Sequence, residues 1–300
     1  MRRVPRKRIA TEQWDAFVEA HEHGWFFHTS RWIAYAVAYT PGAVDRSYAF
    51  VDDTHAIRLI CAGVTTPDGT FNFGGQPLPE GLCDGEVASP YQIIRPCVVA
   101  GRPGQPEHED VPHGVVRASW PTYVVDLRPD EKVLWRNLRK SYKSLALRLT
   151  RDEGVVSVYG SGLYGNAGDV AIKAAQRLHM QAAGRQTRPD ATWDLMGQWM
   201  RDGDALLALA QRGLVYTGFA YVIRWKHWAY YASGASLERN VSHGLLWHIM
   251  KTLKCDGRTT HFEIGWGHRP DDTEKDCGVH HFKAGFGGDE WTVHALERRA

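Results

Sequence analysis

The fold class is decided by a run of apolar segments in the second half of the chain, residues 205–233, ALLALAQRGLVYTGFAYVIRWKHWAYYAS. Short apolar segments broken by polar turns, here Gln211-Arg-Gly213, are typical of neighbouring antiparallel strands. Residues 47–51 and 56–64 repeat this pattern in the first half, around the turn at residues 52–55. The two similar pieces of sheet indicate an internal duplication.

Helical periodicity accompanies these strands. Apolar residues recur every three or four positions over residues 129–149, which predicts one helix that joins the two halves. Glycines or a good N-cap residue delimit three further predicted helices, at residues 170–183, 191–201 and 242–253. A short strand is predicted at residues 260–265. The sequence therefore predicts an α/β (α+β) protein of two lobes, residues 1–154 and 155–300, each a mixed sheet flanked by helices, with a cleft between them.

Two segments lack such periodicity. Residues 66–117 are rich in Pro and Gly and are expected to be largely loop, with the apolar run at residues 91–94 paired at a sheet edge. The first eight residues, MRRVPRKR, are interpreted as a solvated basic arm, with phosphate contact as the alternative.

Composition excludes several classes of protein. The 36 basic and 34 acidic side chains give a net charge of +2, too balanced for indiscriminate nucleic-acid binding, so any polyanion site must be local. The five cysteines are widely spaced without a CxxC pair, which argues against a disulfide framework and favours a reducing cytoplasm. No segment approaches the ~20 apolar residues of a membrane-spanning helix.

Signatures of several enzyme classes are also missing from the sequence. It contains no GxSxG, no GxxxxGK[ST] and no GxGxxG, which argues against serine hydrolysis and nucleotide hydrolysis. Cys277 and His280 have a CxxH spacing, but a structural zinc site needs two such pairs. No bound metal is predicted.

Three groups of residues are candidates for binding a substrate. The predicted helix at residues 129–149 carries a strip of cations that is either solvated or in contact with phosphates: Arg136, Arg139, Lys140 and Lys143. The donors His179, Arg185 and Arg188 suit an anionic substrate group, unless the cations merely complement the negative end of the second helix. Tyr231 belongs to an aromatic strand that either packs in the sheet or forms the floor of a substrate groove.

The C-terminal part of the chain resembles a known family. Residues 282–288, FKAGFGG, are similar to the FKxGFGG ending of Fem-type proteins, GNAT-like enzymes related to peptidoglycan-bridge aminoacyltransferases. Residues 28–32, HTSRW, resemble the first motif of that family, and residues 134–143, LWRNLRKSYK, resemble its inter-lobe basic helix. Further similar pieces, at residues 229–235, 246–247 and 262–265, extend the resemblance over nearly the whole chain.

The resemblance implies two GNAT-like lobes and an acyltransferase that forms an amide bond on a small-molecule or peptide amine, without a permanently bound cofactor. The implied donor is aminoacyl-tRNA; the alternatives are an acyl-CoA-dependent N-acyltransferase acting on an amino sugar or small amine, and a non-catalytic binding relative. The phosphate loop of CoA-dependent GNATs, roughly [QR]xxGx[GA], appears only in a changed form at residues 239–244. No basic residue occurs at residues 33–39, where relatives that act on diphosphate-linked cell-wall precursors carry one.

The resemblance also implies roles for individual residues. Lys283 is the implied catalytic residue, because its charge would stabilise the oxyanion that develops during acyl transfer. Gly285 and Gly287 are expected to leave room for a bound ester. Phe282 is expected to be structural. Glu263 and His281 are candidate substrate-binding residues, and both are possible bases together with His243 and Asp276.

Overall fold

The computed structural model describes residues 2–21, 24–67, 71–73, 76–78, 115–152, 154–160, 166–267 and 273–298. The chain forms two compact units. The first contains residues Met1–Trp120 and Trp291–Ala300, and the second contains residues Pro121–Glu290.

The first unit has two small antiparallel sheets. In one sheet the order of strands is β1 (Arg2–Pro5), β3 (Tyr48–Val51) and β4 (Ile57–Cys61). In the other the order is β2 (Val44–Asp45), β5 (Gly63–Thr65), β6 (Phe71–Phe73) and β7 (Gln76–Leu78). Two helices, α1 (Thr11–Ala20) and α2 (Ser30–Tyr39), bury the apolar residues Trp14, Val18 and Ile33.

The basic N-terminus is part of this unit. Residues Arg2–Pro5 pair with Tyr48–Val51, and the Arg3 guanidinium lies 3.9 Å from the centroid of the Tyr48 ring. Arg6 lies over Trp14 and within 3.5 Å of the Asp45 carboxylate. The basic N-terminus is therefore a paired strand and not a free arm, with Arg3 and Arg6 in contact with aromatic rings, although Arg2, Lys7 and Arg8 are exposed to solvent.

Most of the predicted loop at residues 66–117 lies outside the described residues, including the apolar run at residues 91–94. The described parts of that segment include strands β6 and β7 and the start of β8 (Val115–Asp126), which are not loop.

A seven-stranded sheet organises the second unit. Its other strands are β9 (Gly154–Tyr159), β10 (Ala205–Arg212), β11 (Val215–Trp225), β12 (Trp228–Ser236), β13 (His261–Trp266) and β14 (Asp289–Arg298), in the order β14-β8-β13-β12-β11-β10-β9. Strands β12 and β13 are parallel, whereas the pairs β8–β13, β11–β12, β10–β11 and β9–β10 are antiparallel. Strands β8 and β14 each run from one unit into the other.

Helices cover both faces of this sheet. Side chains alternate between the two faces along each strand, so neighbouring residues pack against different helices. Ala220 and Val222 face a core built with α3 (Glu131–Asn137), α4 (Lys140–Arg151) and α7 (Val241–Asp256). Phe219 and Tyr221 face α5 (Asn166–Ala183) and α6 (Asp190–Arg201) instead: Phe219 contacts Trp193, and the Tyr221 hydroxyl donates to the Met196 carbonyl at 2.7 Å. The last helix, α8 (Glu274–Ala284), contributes Phe282 to the core on the α4 and α7 face.

The helix predicted at residues 129–149 is two helices, α3 and α4. Leu138 and Arg139 between them have non-helical backbone angles, and the Arg139 N–H donates to the Gly285 carbonyl at 2.9 Å. Both helices lie in the second unit, so the chain divides at residues 120/121 and not at the expected 154/155. The physical reason is that Leu134, Leu138 and Tyr142 pack in the core of α7.

The other predicted helices and the short strand are confirmed as α5, α6, α7 and β13, within a few residues at each end. Gly257 ends α7 in the left-handed conformation, at φ +67. Helix α8 was not predicted. Within the described residues, no helix has the length and apolar character needed to cross a bilayer.

Candidate functional site

The parallel strands β12 and β13 separate at one end of the sheet. Their pairing ends at Tyr230 and Glu263, although β12 continues beside β11 to Ser236 and β13 continues beside β8 to Trp266. A register shift leaves Ala232 as an extra residue in β12, between the partners of Val222 and Tyr221. The two strands therefore open a gap at their carboxyl ends, which is where open α/β sheets bind ligands.

Lys283 reaches this gap from α8. A Cβ atom placed on Gly265 of β13 would lie 3.1 Å from Lys283 Nζ, so the ammonium group lies directly on the Gly265 backbone. Gly265 has φ +102, a conformation that L side chains rarely adopt. The lysine thus belongs to a helix and not to a turn, and the glycine of β13 provides the space for its charge.

Glu263 lies on the same strand, at the last paired position before the gap. Its side chain is 3% exposed, and Oε1 accepts a hydrogen bond from Thr122 Oγ1 at 2.8 Å. The hydrogen bond from Thr122 of β8 holds this buried carboxylate in place, two residues before Gly265. Sequence reasoning identified Glu263 but neither Thr122 nor Gly265.

Arg139 connects the start of α4 to the end of α8. Its Nη1 atom lies 2.6 Å from His281 Nε2, and its guanidinium lies 5.0 Å from the centroid of the Tyr142 ring. Because a guanidinium can only donate, His281 Nε2 is the acceptor. Lys143 donates to the Arg136 carbonyl at 3.0 Å, which holds it beside the α3–α4 break.

His243, at the start of α7, packs against aromatic residues of both α4 and α8. Its ring is 4.4 Å from that of Tyr142 and 5.0 Å from that of Phe282. Burial lowers the pKa of His243, the Arg139 charge lowers it further, and the bond from Nδ1 to the Asn240 carbonyl opposes both. The imidazole is therefore neutral near pH 7, with Nδ1 as the donor and Nε2 as a potential proton acceptor.

Tyr142 of α4 contacts the last turn of α8. Its hydroxyl donates to the Phe282 carbonyl at 3.1 Å, and burial raises its pKa, partly offset by Arg139. A Cβ atom on Gly285 would overlap the Tyr142 ring, and one on Gly287 would lie 2.7 Å from the Asn137 carbonyl oxygen. The space at both glycines is filled by protein atoms, which corrects the expectation that they leave room for an ester.

Tyr231 lies on β12 where the gap opens. Its ring packs against the core of α4 and α7, and burial raises its pKa to about 12. A Cβ atom on Gly234 would overlap the Tyr231 hydroxyl, so the phenol lies along its own strand. This geometry favours the interpretation of Tyr231 as a residue of the sheet packing.

The remaining predicted residues, His179, Arg185 and Arg188, lie on the opposite face of the sheet, with α5 and α6. His179 is half-buried beside Trp193 and Phe219, Arg188 lies 5.6 Å from the centroid of the Trp193 ring, and Arg185 is exposed. The structure therefore separates the predicted residues into two groups. Among the described residues, no three His, Cys, Asp or Glu side chains are grouped to hold a metal ion.

The second unit is thus an α/β unit whose mixed sheet opens between two parallel strands, with Lys283 at the opening. The structure is similar to that of FemX, with 14% sequence identity and a TM-score of 0.58 over 98% of this chain and 97% of that chain. The protein therefore has the fold of FemX, as its motifs imply.

Two further solved structures are more distantly similar. A tandem GNAT protein from the clavulanic acid biosynthesis pathway is 12% identical, with a TM-score of 0.48 over 98% of both chains. The C-terminal domain of a putative lysylphosphatidylglycerol synthetase from Agrobacterium fabrum is 14% identical, with a TM-score of 0.47 over 62% of this chain and 63% of that chain. No family model and no curated protein sequence matches the chain.

Proposed function

We propose that the protein transfers an acyl group from an ester donor to an amine and that Lys283 stabilises the oxyanion formed on the way. The observation that carries the proposal is the position of the Lys283 ammonium on Gly265, at the opening between β12 and β13. An ammonium group held close to the acyl oxygen attracts the negative charge that develops there during the reaction.

The proposed reaction needs only the donor and the amine, because every bond and proton is accounted for by these two molecules. The amine nitrogen attacks the acyl carbon, forming a C–N bond while an electron pair moves to the carbonyl oxygen, to which Lys283 donates a hydrogen bond. Collapse of this intermediate breaks the ester C–O bond, and the amine proton passes to the leaving oxygen. His243, whose ring lies 5.0 Å from that of Phe282 next to Lys283, is a candidate to relay that proton, as are the other possible bases Glu263, Asp276 and His281.

The cations around the α3–α4 break support aminoacyl-tRNA as the donor. In the part of the chain that the structure describes, no carboxylate lies within 4.0 Å of the four members of this strip: Arg136, Arg139, Lys140 and Lys143. By contrast, Arg148, further along α4, pairs with Asp152 at 3.3 Å. Unpaired neighbouring cations repel each other, and a phosphate backbone relieves that repulsion.

Acyl-CoA is the alternative donor, supported by the start of α7. Asn240 precedes this helix in the left-handed conformation, and the exposed Arg239 lies beside it. Helix N-termini attract phosphates through their free N–H groups. However, residues 241–244 already belong to the helix, so only the first two positions of the changed loop precede it.

The catalytic proposal is tested by Lys283→Met, which removes the charge and keeps most of the apolar stem. Turnover should fall about 100–1000-fold, the usual effect of losing one oxyanion donor. Thermal unfolding should change little. Lys251→Met, a half-buried lysine on α7, is the matched control. Near-normal turnover of Lys283→Met with both donors would remove the catalytic role.

The donor is tested by the salt dependence of tRNA binding. Replacing Lys140 and Lys143 by Gln should lower the slope of log affinity against log salt by about 0.7–0.9 for each lost phosphate contact. Arg148→Gln should leave the slope nearly unchanged, because the Arg148 charge is already paired with Asp152. Turnover of acyl-CoA and an amine in the absence of RNA would instead select the alternative donor.

A further inference from the structure

A second group of polar side chains lies where α5 ends and α6 begins, on the face of the sheet opposite the α4 and α7 core. Its members are His179, Thr187, Arg188 and Trp193, named here the α5–α6 cluster. We propose that this cluster binds a small oxyanion, a carboxylate or a phosphate monoester, held chiefly by Arg188. The inference concerns binding alone and does not rest on the proposed acyl transfer.

Arg188 provides a charge that the protein does not neutralise. Its guanidinium lies over the Trp193 ring, and Nη1 donates to Met196 Sδ at 3.6 Å, a weak acceptor. Within the described residues, no carboxylate lies within 4.0 Å of Arg188. Most of the guanidinium donors are thus left for a ligand, and their fork geometry matches the two oxygens of a carboxylate or phosphate.

The acidic residues closest in sequence have other partners. Asp190 accepts hydrogen bonds from the Gln176 and Gln186 amides, at 2.7 and 3.0 Å. Asp194 pairs with Lys173 at 3.0 Å. The positive charge of Arg188 is therefore not the unused half of an internal ion pair.

His179 and Thr187 add polar groups on the same side. His179 Nδ1 lies 3.1 Å from Thr187 Oγ1, and its ring meets Trp193 edge to face at 5.5 Å. Burial lowers the pKa of His179, and the nearby Arg188 charge lowers it further. A bound anion would offset the effect of Arg188, so the His179 imidazole reports directly on occupancy.

The segment that carries Arg188 is fixed before any ligand binds. Gly184 ends α5 at φ +67, Gln186 Nε2 donates to the Arg188 carbonyl at 3.1 Å, and Thr192 Oγ1 donates to the Pro189 carbonyl at 2.6 Å. Trp193 is 1% exposed and forms a rigid base for the guanidinium. Such preorganisation reduces the entropy lost on binding.

The α5–α6 cluster also lies over a defined part of the sheet. Phe219, which contacts both His179 and Trp193, pairs with Ala235 of β12. Ala235 is beyond Tyr230, the last β12 residue paired with β13. An anion held by Arg188 is therefore at the same end of the sheet as the gap.

The experiment titrates the full chain with inorganic phosphate and, separately, with acetate, at constant ionic strength, and follows the imidazole resonances by NMR. The His179 signal, assigned from His179→Gln, should move in a saturable manner with at least one of the anions. Arg188→Met should weaken binding about tenfold or more, the effect of losing one charged hydrogen bond. The relative affinities for phosphate and acetate identify which oxyanion the site prefers.

Arg177→Met is the matched control, because Arg177 is an exposed arginine of the same helix as His179. It should bind like the wild type. If Arg188→Met fails to fold, Arg188→Lys replaces it and should bind less tightly than the wild type, since it keeps the charge and loses the fork. Absence of any saturable shift in the wild type, or equal affinity in the Arg188 and Arg177 variants, would overturn the proposal.

Discussion

Phe282 and Phe286 both contact Tyr142, but they differ in burial. Phe286 is 1% exposed, whereas Phe282 is half-buried at the edge of the same core. The structural role that the sequence assigned to Phe282 therefore falls mainly on Phe286.

Replacing each phenylalanine by Ala should reveal this difference. Phe286→Ala should lower the free energy of unfolding by about 3–5 kcal/mol, because a large buried ring leaves a cavity. Phe282→Ala should cost less, since part of its ring already contacts solvent. Urea denaturation of both variants measures the two values. An equal loss from both would mean that the Phe282 ring is as deeply packed as that of Phe286.

At the level of single residues, the family resemblance predicts a role for Lys283 because its motif is contiguous. It could not identify Gly265, whose contact with Lys283 depends on how α8 lies on β13. Thr122 was missed for the same reason: it meets Glu263 across two strands that are far apart in sequence. Local patterns carry no information about such partners.

Among the elements, the contact between the end of α8 and the start of α4 depends on a side chain being absent at Gly285. Gly285→Ala would place a methyl group inside the Tyr142 ring and force the two helices apart. We expect a loss of about 1–3 kcal/mol of unfolding free energy, the usual cost of overpacking.

Gly278→Ala provides the matched control on the same helix. No heavy atom lies within 4 Å of a Cβ placed there, and the position is inside α8. Alanine should therefore stabilise the protein by about 0.5–1 kcal/mol, through its higher helix propensity. Thermal unfolding of the two variants should shift in opposite directions, and a stabilising Gly285→Ala would contradict the close packing.

Elements were predictable where periodicity and end signals agreed. Helices α5, α6 and α7 have apolar stripes followed by Gly184, Gly203 and Gly257. Helix α8 was missed because Gly278 interrupts it and its apolar residues form no continuous stripe. The break between α3 and α4 has neither Gly nor Pro, and the bond from Arg139 to Gly285 that accompanies it is a tertiary contact.

At the scale of the whole molecule, burial lowers the pKa of four histidines of the second unit: His179, His243, His248 and His261. Between their folded values and the unfolded value of about 6.5, the unfolded chain binds more protons. The contribution of these four histidines to the free energy of unfolding is therefore fully present above about pH 6.5. It is lost as the pH falls through their folded pKa values.

Urea midpoints measured from pH 7.5 down to pH 5.5 should accordingly decrease, and His248→Gln should show a smaller decrease than the wild type. His248 suits this test because its Nδ1 atom bonds to the Gly244 carbonyl within its own helix. Midpoints that rise on acidification would contradict the direction of these pKa shifts.

The two-lobed α/β organisation was predictable from paired strand patterns, but two features of the whole molecule were not. The boundary lies at 120/121 because α3 and α4 join the core of the second unit. Helix α4 and the α5–α6 pair cover opposite faces of the sheet, so their cations are separated. Neighbouring strand residues show this: Ala220 packs in the core of α4 and α7, whereas Phe219 packs against Trp193 of α6. Sequence spacing alone cannot show which face a helix covers.

The division of the chain has a consequence for biosynthesis. The second unit is one continuous stretch, whereas the first needs residues 291–300 as well as residues 1–120. Nascent proteins usually complete their domains from the N-terminal side as the ribosome proceeds. Here that order is reversed: all residues of the second unit are synthesised before residues 291–298, which form the first unit's part of β14.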